Sequence, residues 1–258
     1  MSLFSTPGRE ARCRNITLTR PLFISDLHLS EADPHCVQVF LDFMRQVASQ
    51  YQQLVILGDL FDYWVGDDAA DTVAPIMAAL RHFSQDGKQL YIMQGNRDFL
   101  LGQDFARQVN ATLLADPCVA QYAQHAILLS HGDLWCTNDE KYQAVRKRVR
   151  SFFWQWSVLR LPLKKRLAIA TQAREKSRQT KKYTDPSAMQ VVDSAVIADA
   201  HKARADWIIH GHTHNPCVTS MPDGITRWVL PDWKFNGEFS HVGYLCLNKD
   251  RPEFKDFL

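Results

Sequence analysis

Five short stretches of this sequence carry side chains able to hold a cation or move a proton. They are Asp26-x-His28, Gly58-Asp59, Gly95-Asn96-Arg97-Asp98, His131-Gly132-Asp133 and Gly211-His212-Thr213-His214. Neutral imidazoles and carboxylates together suit Mn²⁺, Fe²⁺, Zn²⁺ or Co²⁺, and the absence of cysteine from the set argues against a structural zinc site. Asp26, His28, Asp59, Asn96, His131, His212 and His214 make seven candidate ligands. One ion cannot use so many protein groups and keep a place for water. Two ions sharing a carboxylate can, and Asp59 is the natural bridge. Paired cations about 3.5–4 Å apart clamp a phosphoryl oxygen and hold a hydroxide for in-line attack. Arg97, beside a proposed ligand, is placed to neutralise a non-bridging phosphate oxygen through its planar fork. Taken singly, each stretch has a plainer reading, because D-x-H is ordinarily a turn and Gly-Asp a turn or helix cap. Their convergence on one site rests on the elements that precede them.

Each stretch follows a short apolar run: Leu22-Phe23-Ile24, Leu54 to Leu57, Leu90 to Met93, Ile127-Leu128-Leu129 and Trp207-Ile208-Ile209. Runs this short and uniformly apolar predict strands buried on both faces. Asp33 as N-cap and Pro34 at N1 start a helix through Val37, Phe40, Leu41, Met44 and Ala48. Val73, Ile76, Met77, Leu80 and Phe83 predict a second helix ending near Gly87, and Asp185-Pro186 a third through Met189, Val192, Val196 and Ala200. Strands alternating with helices indicate an α/β layered fold, in which ligands gather outside the carboxyl ends of the strands.

Residues 140–186 break that rhythm. Between 141 and 182 stand 14 Lys and Arg against one acid, Glu175, although the whole chain has a net charge of only +2. Tyr142, Val145, Val149, Phe152, Phe153 and Trp156 follow helical spacing among the charges, and Pro162 separates a second basic helix through Leu167 and Ala170. The segment reads as a basic helical lid inserted into a core of 19–139 and 187–258, with 1–18 as a loosely ordered leader. Such charge segregation calls for an anionic partner. Apolar side chains from Phe152 to Leu161 among basic ones suit a phosphorylated lipid, and also an anionic bilayer surface. No run of apolar residues is long enough to span a bilayer, and the charged N-terminus does not resemble a secretory signal. Six scattered cysteines without a C-x-x-C pair favour a reduced, cytoplasmic chain.

These stretches, with Asp62 completing Gly58-Asp59-x-x-Asp62, resemble the motif series of the calcineurin-like metallophosphoesterases. Longer stretches, Leu22 to Leu29, Gly58 to Trp64, Gln94 to Leu100 and Val229 to Trp233, carry the likeness from about residue 19 to near the C-terminus. With the lid, they are similar to the branch of that superfamily acting on UDP-2,3-diacylglucosamine in bacterial lipid A synthesis. The resemblance implies a four-layer αββα sandwich with two Mn²⁺ ions per chain, other divalent transition metals being possible. One ion would be held by Asp26, His28, Asp59 and His214, the other by Asp59, Asn96, His131 and His212. It implies hydrolysis of the pyrophosphate by a dimetal-held hydroxide, giving UMP and 2,3-diacylglucosamine 1-phosphate, with Asp59, Asn96, Arg97 and His131 as catalytic residues. Substrate contacts would come from Asn96, Arg97, His212, Asp139 and Ser177. Lys181 and Thr184 join them, although Thr184 stands where the family often has Lys, leaving Lys181 or Lys182 to supply the charge. The expected location is the cytoplasmic face of the inner membrane, as a peripheral protein. No nucleic-acid partner is expected, and the oligomeric state is left open. The competing reading is a dimetal nucleic-acid or nucleotide phosphodiesterase of the same fold, with the lid as a strand-binding surface.

Overall fold

The computed structural model describes residues 12–85, 87–181, 190–236, 239–248 and 251–258. The five anticipated strands all form: β2 (Pro21–Ile24), β3 (Gln53–Leu57), β4 (Gln89–Met93), β6 (His125–Ser130) and β7 (Trp207–His210). β1 (Cys13–Leu18), β5 (Ala111–Tyr122), β8 (Cys217–Ser220), β9 (Thr226–Val229), β12 (Gly243–Asn248) and β13 (Arg251–Asp256) complete the main sheet. A separate hairpin pairs β10 (Lys234–Asn236) with β11 (Phe239–His241). The hydrogen-bonded order is β13-β12-β2-β3-β4-β5-β6-β7-β9-β8, with β1 added on β5.

β5 makes two sheets out of one. Its first residues, Ala111 to Leu114, pair with β4, and its last, Cys118 to Tyr122, pair with β6. β1 takes the place beside that second half, with Leu18 opposite Tyr122. Cys13–Leu18, expected within a loose leader, is therefore a ladder strand. Its two core-facing residues, Ile16 and Leu18, are buried, while its outer residues are polar.

Strand alternation then sorts the core into three apolar layers. Phe23, Val55, Leu57, Tyr91 and Met93 from the first sheet meet Ile127, Leu129, Trp207 and Ile209 from the second. The alternate residues Leu22, Ile24, Leu54, Ile56, Leu90 and Ile92 pack under α1 (Pro34–Gln46), α2 (Ala74–Gln85) and α3 (Gln103–Gln108). Leu128 and Ile208, on the opposite outer face, pack against α7 (Asp193–Ala203) and Trp135. Helix, sheet, sheet, helix is the four-layer α/β sandwich anticipated. Asp33 caps α1, its Oδ1 accepting the Cys36 amide at 3.0 Å.

α7 begins at Asp193, after Val192 in an extended conformation, so Val192 is not within the helix as expected; the anticipated start at Asp185-Pro186 lies outside the described residues. Residues 182–189 lie outside the described residues, and Gln190 to Val192 are not helical. The basic segment holds three helices where two were expected: α4 (Glu140–Val149), α5 (Phe152–Leu159) and α6 (Leu163–Lys181). None of Tyr142, Val145 and Val149 on α4 is fully buried. Val145 is 56% exposed, and the inward stripe is polar instead, because a buried carboxylate, Asp133, lies beneath it. Among the described residues no helix is long and apolar enough to cross a membrane.

Candidate dimetal site

The carboxyl ends of β2, β3, β4, β6 and β7 deliver all seven anticipated ligands to one place. Adjacent loops are zipped by backbone bonds: the Asp26 amide donates to the Gly58 carbonyl at 3.1 Å, His28 to Asp59 at 3.0 Å, and Gly211 to His131 at 3.0 Å. Side chains close the ring. Asp59 Oδ1 accepts the Arg97 amide at 2.8 Å, and Asp26 Oδ2 accepts the His212 amide at 2.8 Å.

Five of the seven candidate ligands (Asp26, His28, Asp59, His212 and His214) hold positive φ between 51° and 71°. Left-handed backbone is unfavourable for L-residues, and such strain persists only where surrounding structure enforces it. The glycines beside them allow the crowding. A Cβ at Gly95 would overlap the Asp59 carboxylate, and one at Gly211 would overlap Ser25 and Asp26.

Two sets of donors fall within coordinating distance of one another: Asp26, His28 and His214, and Asp26, Asp59 and His131. His28 Nδ1 lies 3.9 Å from Asp59 Oδ2, and His131 Nε2 lies 3.8 Å from Asp59 Oδ1. Asn96 Oδ1 stands 2.9 Å from both His131 Nε2 and His212 Nδ1. Asp26 Oδ1 and His28 Nδ1 are buried without a hydrogen bond, although His214 Nε2 comes within 3.3 Å of the former. Orphaned donors in a buried cluster of nitrogen and oxygen fit divalent cations.

Burial and the neighbouring charges shift the groups of the cluster in opposing directions. Burial pushes the Asp59 carboxyl up to about 7, against the opposing pull of His131. Burial would lower His131, but Asp59 and Asp26 outweigh it and raise the imidazole to about 9. Both its nitrogens then donate, Nδ1 to the Leu57 carbonyl at 2.9 Å and Nε2 to Asn96. The Leu57 bond fixes the ring so that Nε2 is the atom offered to the site. His214 likewise overcomes burial and rises to about 9 through Asp232 and Asp26. His28 and His212 are pushed down by burial, to about 4 and about 3. Asp26 is lowered despite complete burial, because His214 and His131 outweigh desolvation.

Three supporting residues were not singled out from sequence. Asp232 Oδ2 lies 2.7 Å from His214 Nδ1 and orients that ring. Asp98 accepts the amides of Gly95 at 2.7 Å and Leu60 at 2.9 Å, which pins two ligand loops together. Asp133 is held well below the usual carboxylate range, since Arg150, His131 and Arg146 overcome its burial. Asp98 and Asp133 stand inside the quoted motifs and Asp232 inside the late Val229–Trp233 stretch, so position alone could have flagged them.

Of the anticipated substrate contacts, Asn96 and His212 lie in the site and Arg97 on its loop. Asp139 caps α4, accepting the Tyr142 amide at 2.9 Å. Ser177 and Lys181 fall on α6, but their side chains, like all of Lys182 and Thr184, lie outside the described residues. α6 reaches the core through other groups. Arg166, only 4% exposed, forks onto Asp68 and donates to the Val65 carbonyl at 2.5 Å, while Arg174 pairs with Asp62. An apolar cleft runs between α6 and the loops after β2 and β3, lined by Leu29, Phe61, Trp64, Val73, Leu163 and Leu167.

Residues 19–216 match the family model described as calcineurin-like phosphoesterase. The chain is 42% identical over 217 residues to a UDP-2,3-diacylglucosamine hydrolase of Chromohalobacter salexigens, covering 83% of this chain and 88% of that protein. It is 43% identical over 225 residues to one of Photorhabdus laumondii, covering 86% and 94%. With one of Haemophilus influenzae it shares 41% over 215 residues, covering 83% and 90%. From strand ends to sequence relatives, these findings agree: the chain belongs to the calcineurin-like phosphoesterase family and is a metal-dependent hydrolase.

Proposed function

We propose that the chain hydrolyses the pyrophosphate bond of UDP-2,3-diacylglucosamine to UMP and 2,3-diacylglucosamine 1-phosphate, a step of lipid A synthesis, using two Mn²⁺ ions. The observation that carries this reading is adjacency. Leu29 and Phe61, which line the apolar cleft together with Leu163 and Leu167 of α6, stand within two residues of the candidate donors His28 and Asp59. A phosphate flanked by acyl chains needs both surfaces, and the similar proteins named for this substrate support the choice.

Asp26, His28, Asp59 and His214 would hold one cation, and Asp59, Asn96, His131 and His212 the other. Such a pair supplies positive charge for the phosphoryl oxygens and makes water nucleophilic at neutral pH. The chain does the rest. Asp232 and the Leu57 carbonyl keep His214 and His131 turned toward the site. Asn96 and Arg97 meet the phosphates, with the Arg97 amide tied to Asp59 so that guanidinium and bridging carboxylate share one loop geometry. Loss of the left-handed strain is prevented by the ladder around it, which keeps the donors organised before substrate arrives.

Residues 140–186 would serve as a lid inserted between core segments 19–139 and 187–258, with Asp139, Ser177, Lys181 and Thr184 as its substrate contacts. Exposed Phe152 and Phe153 among basic residues favour peripheral attachment to the cytoplasmic face of the inner membrane.

Incubating the purified chain with UDP-2,3-diacylglucosamine and Mn²⁺ should release UMP. Cleavage of oligonucleotides without UMP release would favour the nucleic-acid phosphodiesterase instead.

A further inference from the structure

The inward stripe of α4 carries chemistry that ligand binding does not use. Tyr142, Arg146 and Arg150 stand four residues apart, hence on one helical face. All three reach Asp133, whose side chain is fully buried. Asp133 Oδ2 accepts from the Tyr142 hydroxyl at 2.6 Å and from Arg146 Nε at 2.8 Å, and the Arg150 guanidinium lies 3.5 Å away.

Two of these partners then meet different parts of the site. The Tyr142 ring lies nearly parallel to the His212 imidazole, with centroids 6.3 Å apart and planes 24° apart. Arg150 donates to the Gly95 carbonyl at 3.0 Å. Gly95 precedes Asn96, whose Oδ1 links His131 and His212. Arg146 turns away, toward Asp116 at 2.9 Å.

We infer that Asp133 is a positioning residue that holds Tyr142 and Arg150 against the two flanks of Asn96, so that the base of the lid sets the spacing between the His212 ring and the Gly95–Asn96 turn. The inference rests on reading the site as hydrolytic. A carboxylate gripped by two guanidinium groups and a phenol in a water-poor interior is stiff, and removing its charge leaves the arginines uncompensated. Reaction geometry is sensitive to displacements of an ångström, so the consequence falls on the chemical step for any substrate, with or without acyl chains.

The test uses the full chain as wild type, Asp133→Asn, Arg150→Met and, as a control on another face of α4, Lys147→Met. Turnover is measured on UDP-2,3-diacylglucosamine and on bis(p-nitrophenyl) phosphate, and amide hydrogen exchange is followed at residues 95–97 and 212 in metal-free protein. Asp133→Asn and Arg150→Met should each lower kcat about tenfold or more on both substrates with KM within about threefold. Exchange at the same amides should quicken without metal present, and Lys147→Met should change neither. Folded Asp133→Asn or Arg150→Met with wild-type kcat and unaltered exchange overturns the inference. So does a loss confined to KM for the lipid. If Asp133→Asn fails to fold, Arg150→Met decides by the same readouts. A wild type that turns over neither substrate defeats the hydrolytic reading and this inference with it, whereas an active wild type with an unaffected Arg150→Met defeats the inference alone.

Discussion

The loops at the strand ends and the basic helices α5 and α6 are held in place by opposite means. Asp26, His28 and Gly211 sit on loops laced to one another by main-chain bonds, and the Asp26 and Asp59 carboxylates crowd against Gly211 and Gly95, where a Cβ would overlap them. α5 and α6 have no ladder to join. They are attached by Arg166 on Asp68, Arg174 on Asp62, and the packing of Trp154, Val158 and Leu159 on the core. Backbone lacing fixes ligand positions closely but tolerates no change of shape. Side-chain attachment leaves most of the lid surface free, including Phe153 at 79% exposure. Substitutions in the first region should therefore act on chemistry, and those in the second on which substrate is held and where.

Asp59→Ala should break the first region most severely. Turnover should fall about a thousandfold or more while the chain stays folded, since the bridging carboxylate is removed. Because burial already makes that carboxylate costly to ionise, the metal-free Tm should hold or rise, measured by scanning calorimetry. Retained turnover would remove the bridging role. Arg97→Ala should lower kcat/KM about a hundredfold, the size seen when one transition-state donor is lost. Its metal content, read by elemental analysis, should stay near that of the wild type, and loss of cations would reassign the residue.

Arg166→Met probes the lid. KM for the UDP-lipid should rise about tenfold, the order expected from losing charge-assisted hydrogen bonds. Turnover of a small chromogenic diester should not change, and protease should cut within 152–181 sooner. Equal losses on both substrates would show that the lid shapes the site as a whole. Phe153→Ser should be gentlest, weakening sedimentation with anionic vesicles about fivefold with Tm unchanged. Undiminished sedimentation would place the membrane contact elsewhere.

The same contrast explains what could be read from the sequence. The five ligand-bearing strands are apolar on both faces, so their runs announce themselves, and the Asp, His and Asn residues that follow mark their ends. β5 gave no such signal, because Asp116-Pro117 interrupts it and its faces meet different neighbours in its two halves. α4 could be read only in part. Its Tyr142, Val145, Val149 spacing gave no sign that the helix would turn Arg146 and Arg150 toward a buried Asp133 and leave Val145 exposed. No local pattern reveals that a carboxylate nine residues upstream of Tyr142 will be the partner.

β5 also decides how the ligands are divided. Asp26, His28, Asp59 and Asn96 follow strands of the first sheet, and His131, His212 and His214 follow strands of the second, with β5 the strand common to both. The site thus straddles a seam between two slabs, and cations seated there would act as rivets through its rim. Chelation should then loosen the join between the slabs as well as silence the enzyme, with each slab keeping its own ladder intact.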